Sequence, residues 1–449
     1  MGTINNYGNV LLPAGSNTID VQSLLDSAMA AAEIPMQLLQ QQQSTLQTQS
    51  SALQSIEGDI TSLQTAVSDL SNTSGSVNSL TATSSDSNVL SASADPTATS
   101  GTHAIVVNSL ATTSSYYTDA VASSSTAIAN GSFQIAVGGG QAATVTVDGS
   151  NDTLSGLAAA INGQNIGVTA SVITDANGAR LALVSNTSGS AGNIVVSNNT
   201  TGLTFNQAAA GANASLTVDG VPISSTSNTI SSVIPGVTIS LAGAAPATTV
   251  SLTVAPDANT ATTAINSFVS AWNKVVQDLN SQFNVASDGS GGGPLEADDT
   301  LRGVQSQLLS AVTTSISGNN GLVNLASIGV NMNDDGTLSV DSGVLSNALN
   351  NNFSNVQTLL QGTGGVATFL SSTLNEITDP TQGAITLDLQ GMSQSNQDLT
   401  QQINTMQAQL LTQQQNLTSQ YAQMEITLQE MPLLQQQVTQ QLTALSGGG

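Results

Sequence analysis

The sequence predicts a multidomain α+β chain: helical coiled-coil or bundle domains built from both chain ends, with nested β-rich domains inserted between them. Three patterns carry this expectation. A seven-residue apolar repeat stands near each end, a long middle stretch alternates with period two, and a helical period returns after it.

Residues 1–32 are polar and Ala-rich, with a short helix expected over 20–32. From Pro35 to about Leu70, Leu39, Leu46, Leu53, Ile60 and Val67 fall seven apart, and Gln42, Gln49, Ile56, Leu63 and Leu70 follow three residues behind each. An a/d seam sustained for about five heptads argues a coiled coil or a long bundle helix. Gln at the early d positions weakens its first half.

The middle, about 88–254, is β-like. Strands are expected at 104–107, 133–137, 143–147, 180–184, 194–196, 215–218, 237–241 and 250–254. Asp148-Gly149 and Asp219-Gly220 follow strands and read as hairpin turns. One helix, 153–162, interrupts them, with Leu154, Leu157, Ala158 and Ile161 on one face.

After Ala258 the period is helical again. Ile265, Phe268, Val269, Trp272, Val275, Val276 and Leu279 form an apolar stripe. A flexible loop at 287–293, a helix over 298–316, a hairpin over 331–341 and short helices over 344–360 and 366–377 follow. The helices 39–70 and 260–282 are expected to pack together, because each stripe needs a partner. At the far end Ile403, Leu410, Leu417, Met424, Met431, Val438 and Leu445 are spaced by sevens, with Tyr421, Leu428 and Leu442 in the second row. Pro432 should kink or restart this helix, and Gly447–Gly449 should fray. The matching seams suggest that the two ends pair.

The division expected is 1–38 with 399–449 as terminal leg segments, partly disordered when unassembled, and 39–80 with 258–398 as a helical bundle. Residues 81–126 with 209–257 form a β-rich domain, and 127–208 an inserted β-rich module.

Composition removes many functions. The chain has 449 residues, 28 acids, three bases (Arg180, Lys274 and Arg302), one histidine and no cysteine, for a formal net charge of −25. Three bases cannot neutralise a phosphate backbone, so nucleic-acid binding is excluded, and anionic membrane surfaces repel the chain. No apolar run approaches the ~18–20 residues of a membrane span, so no membrane insertion is expected. Without Cys, and with His103 as the sole imidazole, there is no disulfide framework, thiol nucleophile, zinc finger or multi-histidine centre. The 331–336 segment is superficially like a calcium loop, but position twelve is Ser342 where a bidentate Glu is needed, and a turn at Asp335-Gly336 explains it better. Glu296, Asp298 and Asp299 suit the positive end of a helix dipole, and Gly138–Gly140 lacks phosphate-loop spacing. No enzyme activity, cofactor or metal is expected. The first base is Arg180, and no apolar signal follows Met1. A cytoplasmic location is therefore the default, with secretion by a route without a cleaved signal as the alternative.

Several segments resemble one family. Ile19-Asp20-Val21-Gln22-Ser23-Leu24-Leu25 followed by Ile34-Pro35, and Thr81-Ala82-Thr83-Ser84-Ser85-Asp86-Ser87-Asn88-Val89-Leu90, are similar to the opening and first-helix exit of the bacterial flagellar filament cap (hook-associated protein 2) family. The 131–197 segment, with 157–162 and 168–172, is similar to a flagellin-type insertion module. Val218-Asp219-Gly220-Val221, Ile234-Pro235-Gly236-Val237-Thr238, Gly293-Pro294-Leu295 and Leu325-Ala326-Ser327-Ile328-Gly329-Val330 resemble its C-terminal half.

The resemblance implies a secreted, extracellular subunit at the distal tip of the flagellum, exported without a cleaved signal peptide. It implies a homo-oligomeric ring, with a pentamer favoured, and flagellin, the export apparatus and a chaperone as partners. Where the family carries bases near the first helix and the C-terminus, this chain has Gln, and the resemblance implies that Gln hydrogen bonds stand in for charged contacts. The seam expected to serve assembly is Leu46, Leu53, Ile56, Ile60, Leu63, Ile403, Leu410, Leu417, Met424 and Leu428. Rival readings are another flagellar axial component (flagellin or a hook–filament junction protein) and a secreted surface adhesin, which would bring cell adhesion.

Overall fold

A computed structural model describes residues 21–283 and 291–446. The N-terminal helix α1, Val21–Ser71, is continuous through Pro35, so the two helices expected over 20–32 and 35–70 are one. Pro35 and Ala31, whose carbonyl loses its i+4 donor, are both exposed, and water can satisfy that carbonyl.

The β half begins with β1 (Leu80–Ser84), β2 (Leu90–Ala94), β3 (Gly101–Ser109), β4 (Thr113–Thr118), β5 (Gly131–Val137) and β6 (Ala143–Val147). Helix α2, Leu154–Gly163, follows, and Thr153 caps it by accepting from the Gly156 N–H. Then come β7 (Val168–Asp175), β8 (Gly178–Ser188), β9 (Ile194–Ser197), β10 (Phe205–Ala209) and β11 (Ala214–Val218). The half ends with β12 (Val221–Ser225), β13 (Thr229–Ile234), β14 (Val237–Leu241) and β15 (Val250–Pro256).

The sheets are β1-β15-β3-β11-β12, β13-β14-β2, β10-β4-β8-β7 and β6-β5-β9. The first two share a core around Ile105, Leu216, Ile239 and Leu252. The other two share one with α2, around Phe133, Leu157, Leu181 and Leu183.

Asp219-Gly220 makes the β11–β12 hairpin, both residues having positive φ, 52° and 82°, as a type I′ turn requires. Asp148-Gly149 does not make one. Asp148 accepts from the Ser150 N–H and hydroxyl, and the chain turns straight into α2. Residues 113–126, expected with the outer β domain, lie with the inserted module instead. β4 pairs with β8 and β10, because Tyr116 and Val121 supply apolar surface to the module core.

The helical half resumes with α3 (Ala258–Phe283) and α4 (Asp299–Val312). It continues through β16 (Val330–Met332), β17 (Leu338–Val340), α5 (Ser342–Asn351), α6 (Phe353–Gln361), α7 (Val366–Ile377) and α8 (Ala384–Ser446). Of the loop expected at 287–293, residues 287–290 lie outside the described residues. The α4 helix stops at Val312, short of the expected 316, where the Thr313 hydroxyl donates back to the Leu309 and Ser310 carbonyls. The helix expected over 344–360 is two, broken at Asn352.

One core joins this half: Leu53, Ile56, Ile60, Leu63, Val67 and Leu70 of α1 pack with Ile265, Phe268 and Trp272 of α3 and with Leu370 and Leu374 of α7. Trp272 is fully buried. The distant helices 39–70 and 260–282 therefore share a core, as their stripes require.

The end segments are helical across 21–38 and 399–446. Each extends a helix already nucleated in the core, so propagation needs no new costly first turn. Helix α8 also runs unbroken through Pro432. Residues 1–20 and the frayed end expected at 447–449 lie outside the described residues.

Candidate assembly surface on the terminal helices

Helices α1 and α8 lie side by side and antiparallel. Near the core, Gln43 Nε2 donates to Thr400 Oγ1 (2.8 Å) and Asn396 Oδ1 (3.3 Å). Further out, Leu25 and Met29 close on Leu410, with Met36, Met406, Leu417 and Tyr421 around them. These contacts are apolar, amide-to-amide or amide-to-hydroxyl, as Gln/Thr/Leu-rich helices with few charges dictate.

The structure sorts the ten expected seam residues into three groups. Leu53, Ile56, Ile60 and Leu63 lie deep in the intrachain core and are closed to any other chain. For them the assembly role is corrected, because the same heptad that could seat a partner chain is filled by α3. Ile403 and Leu410 are buried and Leu417 half-buried along α8, and Leu46 is half-buried on α1. Only Met424 and Leu428 are open, at 36% and 43% exposure.

The open row goes farther, through heptad positions Met431, Val438 and Leu442 and through residues the spacing did not mark. Ile426, Met431, Leu433, Leu434, Val438 and Leu442 are between 54% and 67% exposed. Leu433 and Leu434 sit outside the heptad, so no seam pattern could have found them. Leu445 lies where side chains are not described. So many large apolar side chains left uncovered on one helix present an interaction surface.

The root of α8 carries the main electrostatic feature. Burial pushes the Asp388 carboxyl up to about 6, helped by a hydrogen bond and like charge from Asp298. Asp298 meanwhile caps α4 by accepting from the Leu301 N–H at 2.9 Å. Nearby, Lys274 bridges Asp59 of α1 and Asp278 of α3 at 3.3 and 2.5 Å. In the β half, His103 Nδ1 stands 2.8 Å from Asp219 Oδ2. Hydrogen bonds from His103 and the Ala104 N–H hold the Asp219 carboxyl below its usual range.

The calcium-like segment forms the β16–β17 hairpin, and Asp335 Oδ1 accepts from the Thr337 N–H and hydroxyl. Among the described residues no three His, Cys, Asp or Glu side chains are grouped to hold a metal ion, and no helix is long and apolar enough to cross a membrane.

Comparison with known proteins follows the same architecture. The flagellar hook-associated protein 2 N-terminus family model matches residues 17–114, its C-terminus model 211–432, and the flagellin hook IN motif 132–187. The chain is 31% identical to the B-type flagellar hook-associated protein 2 of Pseudomonas aeruginosa, over 80% of this chain and 81% of that protein. It is 30% identical to the flagellar hook-associated protein 2 of Escherichia coli K12, over 94% and 96% respectively. The crystal structure of the D1-D2-D3 domains of the flagellar cap protein from Escherichia coli superposes with a TM-score of 0.59 at 29% identity. That superposition covers 76% of this chain and 99% of that one.

Proposed function

This chain belongs to the flagellar hook-associated protein 2 family, and on that premise we propose that it caps the distal end of the growing flagellum as a homo-oligomeric ring. There it prevents leakage of exported flagellin and promotes its folding and polymerisation into the filament. Its partners are copies of itself, flagellin, and the export apparatus with its chaperone.

The uncovered apolar row from Met424 to Leu442 is the observation that carries this reading. It sits on a helix projecting from the core, where the neighbour it meets belongs to another chain. A cap that advances with every added subunit needs contacts that hold and then let go. A helix pair closed by a few Leu and Met side chains and by Gln43 hydrogen bonds supports such contacts, since incomplete seams bind less tightly than full zippers. The Cys-free chain also suits passage through a narrow channel unfolded, because no disulfide has to form or break on the way.

The test is genetic. Cells lacking this protein should lose long filaments while flagellin collects as monomer in the medium. In negative-stain images the purified chain should form small closed rings. Normal filaments in the deletion strain would overturn the proposal, as would long filaments grown from the purified chain alone.

A further inference from the structure

The β10-β4-β8-β7 sheet covers one face with the module core, through Tyr116, Ala170, Leu181 and Leu183. Its other face is partly open: Ala182 is buried there, but Tyr117, Ile173 and Val184 are exposed. Register sets Tyr117 opposite Ala182, and Ile173 opposite Arg180. Strand alternation therefore puts Tyr117, Arg180, Ile173 and Val184 together on the open side, with Ile173 58% exposed. The Arg180 guanidinium lies over the Tyr117 ring, 5.9 Å from its centroid, and spends one hydrogen bond on the Thr118 carbonyl at 3.3 Å. The ion pairs among the described residues are His103–Asp219, Lys274–Asp59 and Lys274–Asp278. None of them occupies Arg180.

We propose that this face is a subunit–subunit contact, on which a second copy of the chain seats a carboxylate beside Arg180. The inference rests on the oligomeric reading above. Charge complementarity supplies the argument. Copies carrying −25 each repel one another, so a contact between them gains by setting an acid against a base. Arg180 is the only base in the β half, since Lys274 and Arg302 lie on α3 and α4. Exposed carboxylates stand elsewhere in that same half, among them Asp95 and Asp148, while Asp175 shares the Arg180 face. A ring closes through two different surfaces on each copy, so the Arg180 face of one copy meets an exposed carboxylate on another surface of the next. A guanidinium lying over an aromatic ring, with one hydrogen bond spent on the Thr118 carbonyl, still presents a fork that fits a carboxylate bidentately. Tyr and Arg are also the residue types that dominate association hot spots.

Sedimentation velocity on the full chain over a concentration series tests this. Arg180→Glu and, independently, Ile173→Asp should each raise the concentration at which rings form by about tenfold or more. Arg180→Lys should do so by less. Val221→Asp, at an exposed site on β12 away from this face, should change nothing. Should Arg180→Glu fail to fold by circular dichroism, the change at the exposed Ile173 carries the test. Rings forming at the wild-type concentration in both variants would overturn the proposal while leaving the cap reading intact. Intact rings that no longer bind flagellin would also overturn it, assigning the face to flagellin. A wild-type chain that stays monomeric throughout would sink the oligomeric reading and this contact together.

Discussion

The Trp272 indole N–H donates a 3.0 Å hydrogen bond to the Gly336 carbonyl at the tip of the β16–β17 hairpin. One side chain thus fills the centre of the helical core and also pins the small hairpin to α3. Asn273 reinforces it, bonding both the N–H and the carbonyl of Leu338.

Replacing Trp272 with Ala should therefore destabilise the helical half by about 3–5 kcal/mol through the cavity alone. Trp272→Phe should cost less, about 1–3 kcal/mol, from leaving the Gly336 carbonyl without its partner. Calorimetry should show the helical transition moving down while the β half, with its own cores, melts where it did. An unchanged helical transition in Trp272→Ala would remove the indole from the core.

Acid should stabilise the root of α8. Asp388 titrates near 6 in the folded chain and near the ordinary carboxylate value of 3.8 when unfolded, so the folded state binds more protons between those values. Stability from this group therefore rises as pH falls from 7 through 6 towards 4. Asp388→Asn should stabilise the protein at pH 7 and flatten the melting-temperature profile between pH 7 and 4. An Asn variant whose profile parallels wild type would refute the raised titration of the buried Asp388 carboxyl.

The open row of α8 separates stability from assembly. Ile426→Ser with Leu434→Ser should leave the monomer's unfolding free energy within about 0.5 kcal/mol, because both side chains are already in water. The same double variant should fail to restore filaments in a deletion strain. Full motility in that strain would show the row to be dispensable.

At the β11–β12 turn, Gly220 holds φ at 82°, where a β-branched residue is strained. Gly220→Val should cost about 1–3 kcal/mol, confined to the outer β core. Hydrogen exchange should speed up across β11 and β12 and stay unchanged in α1 and α3.

Much of this was legible from residue order. The Leu53–Leu70 seam, the α3 stripe, the capped α2 and the Asp219-Gly220 hairpin are local patterns, and local patterns survive folding. What stayed hidden was decided by distant partners. Leu53 and Leu428 look alike in a heptad, yet one is sealed by α3 and the other left open, and spacing carries no record of which. Thr113–Thr118 gave no hint of its sheet, because its partners in β8 and β10 are far along the chain. The Asp298–Asp388 pair joins a helix cap to another helix, and neither residue sits in a motif.

The chain leaves the helical half on β1 and comes back on β15, and these two strands are zipped together, Leu80 opposite Pro256. The inserted module repeats the device, leaving on β4 and returning on β10 with Phe205 opposite Thr118. Each insertion thus hangs from a two-stranded stem whose ends are neighbours, so its size hardly matters to whatever lies beneath. A graft that swaps everything beyond either stem for a foreign cassette needs only to match that narrow gap. The outer surface of such a protein is free to diversify while the helical half beneath it keeps its shape.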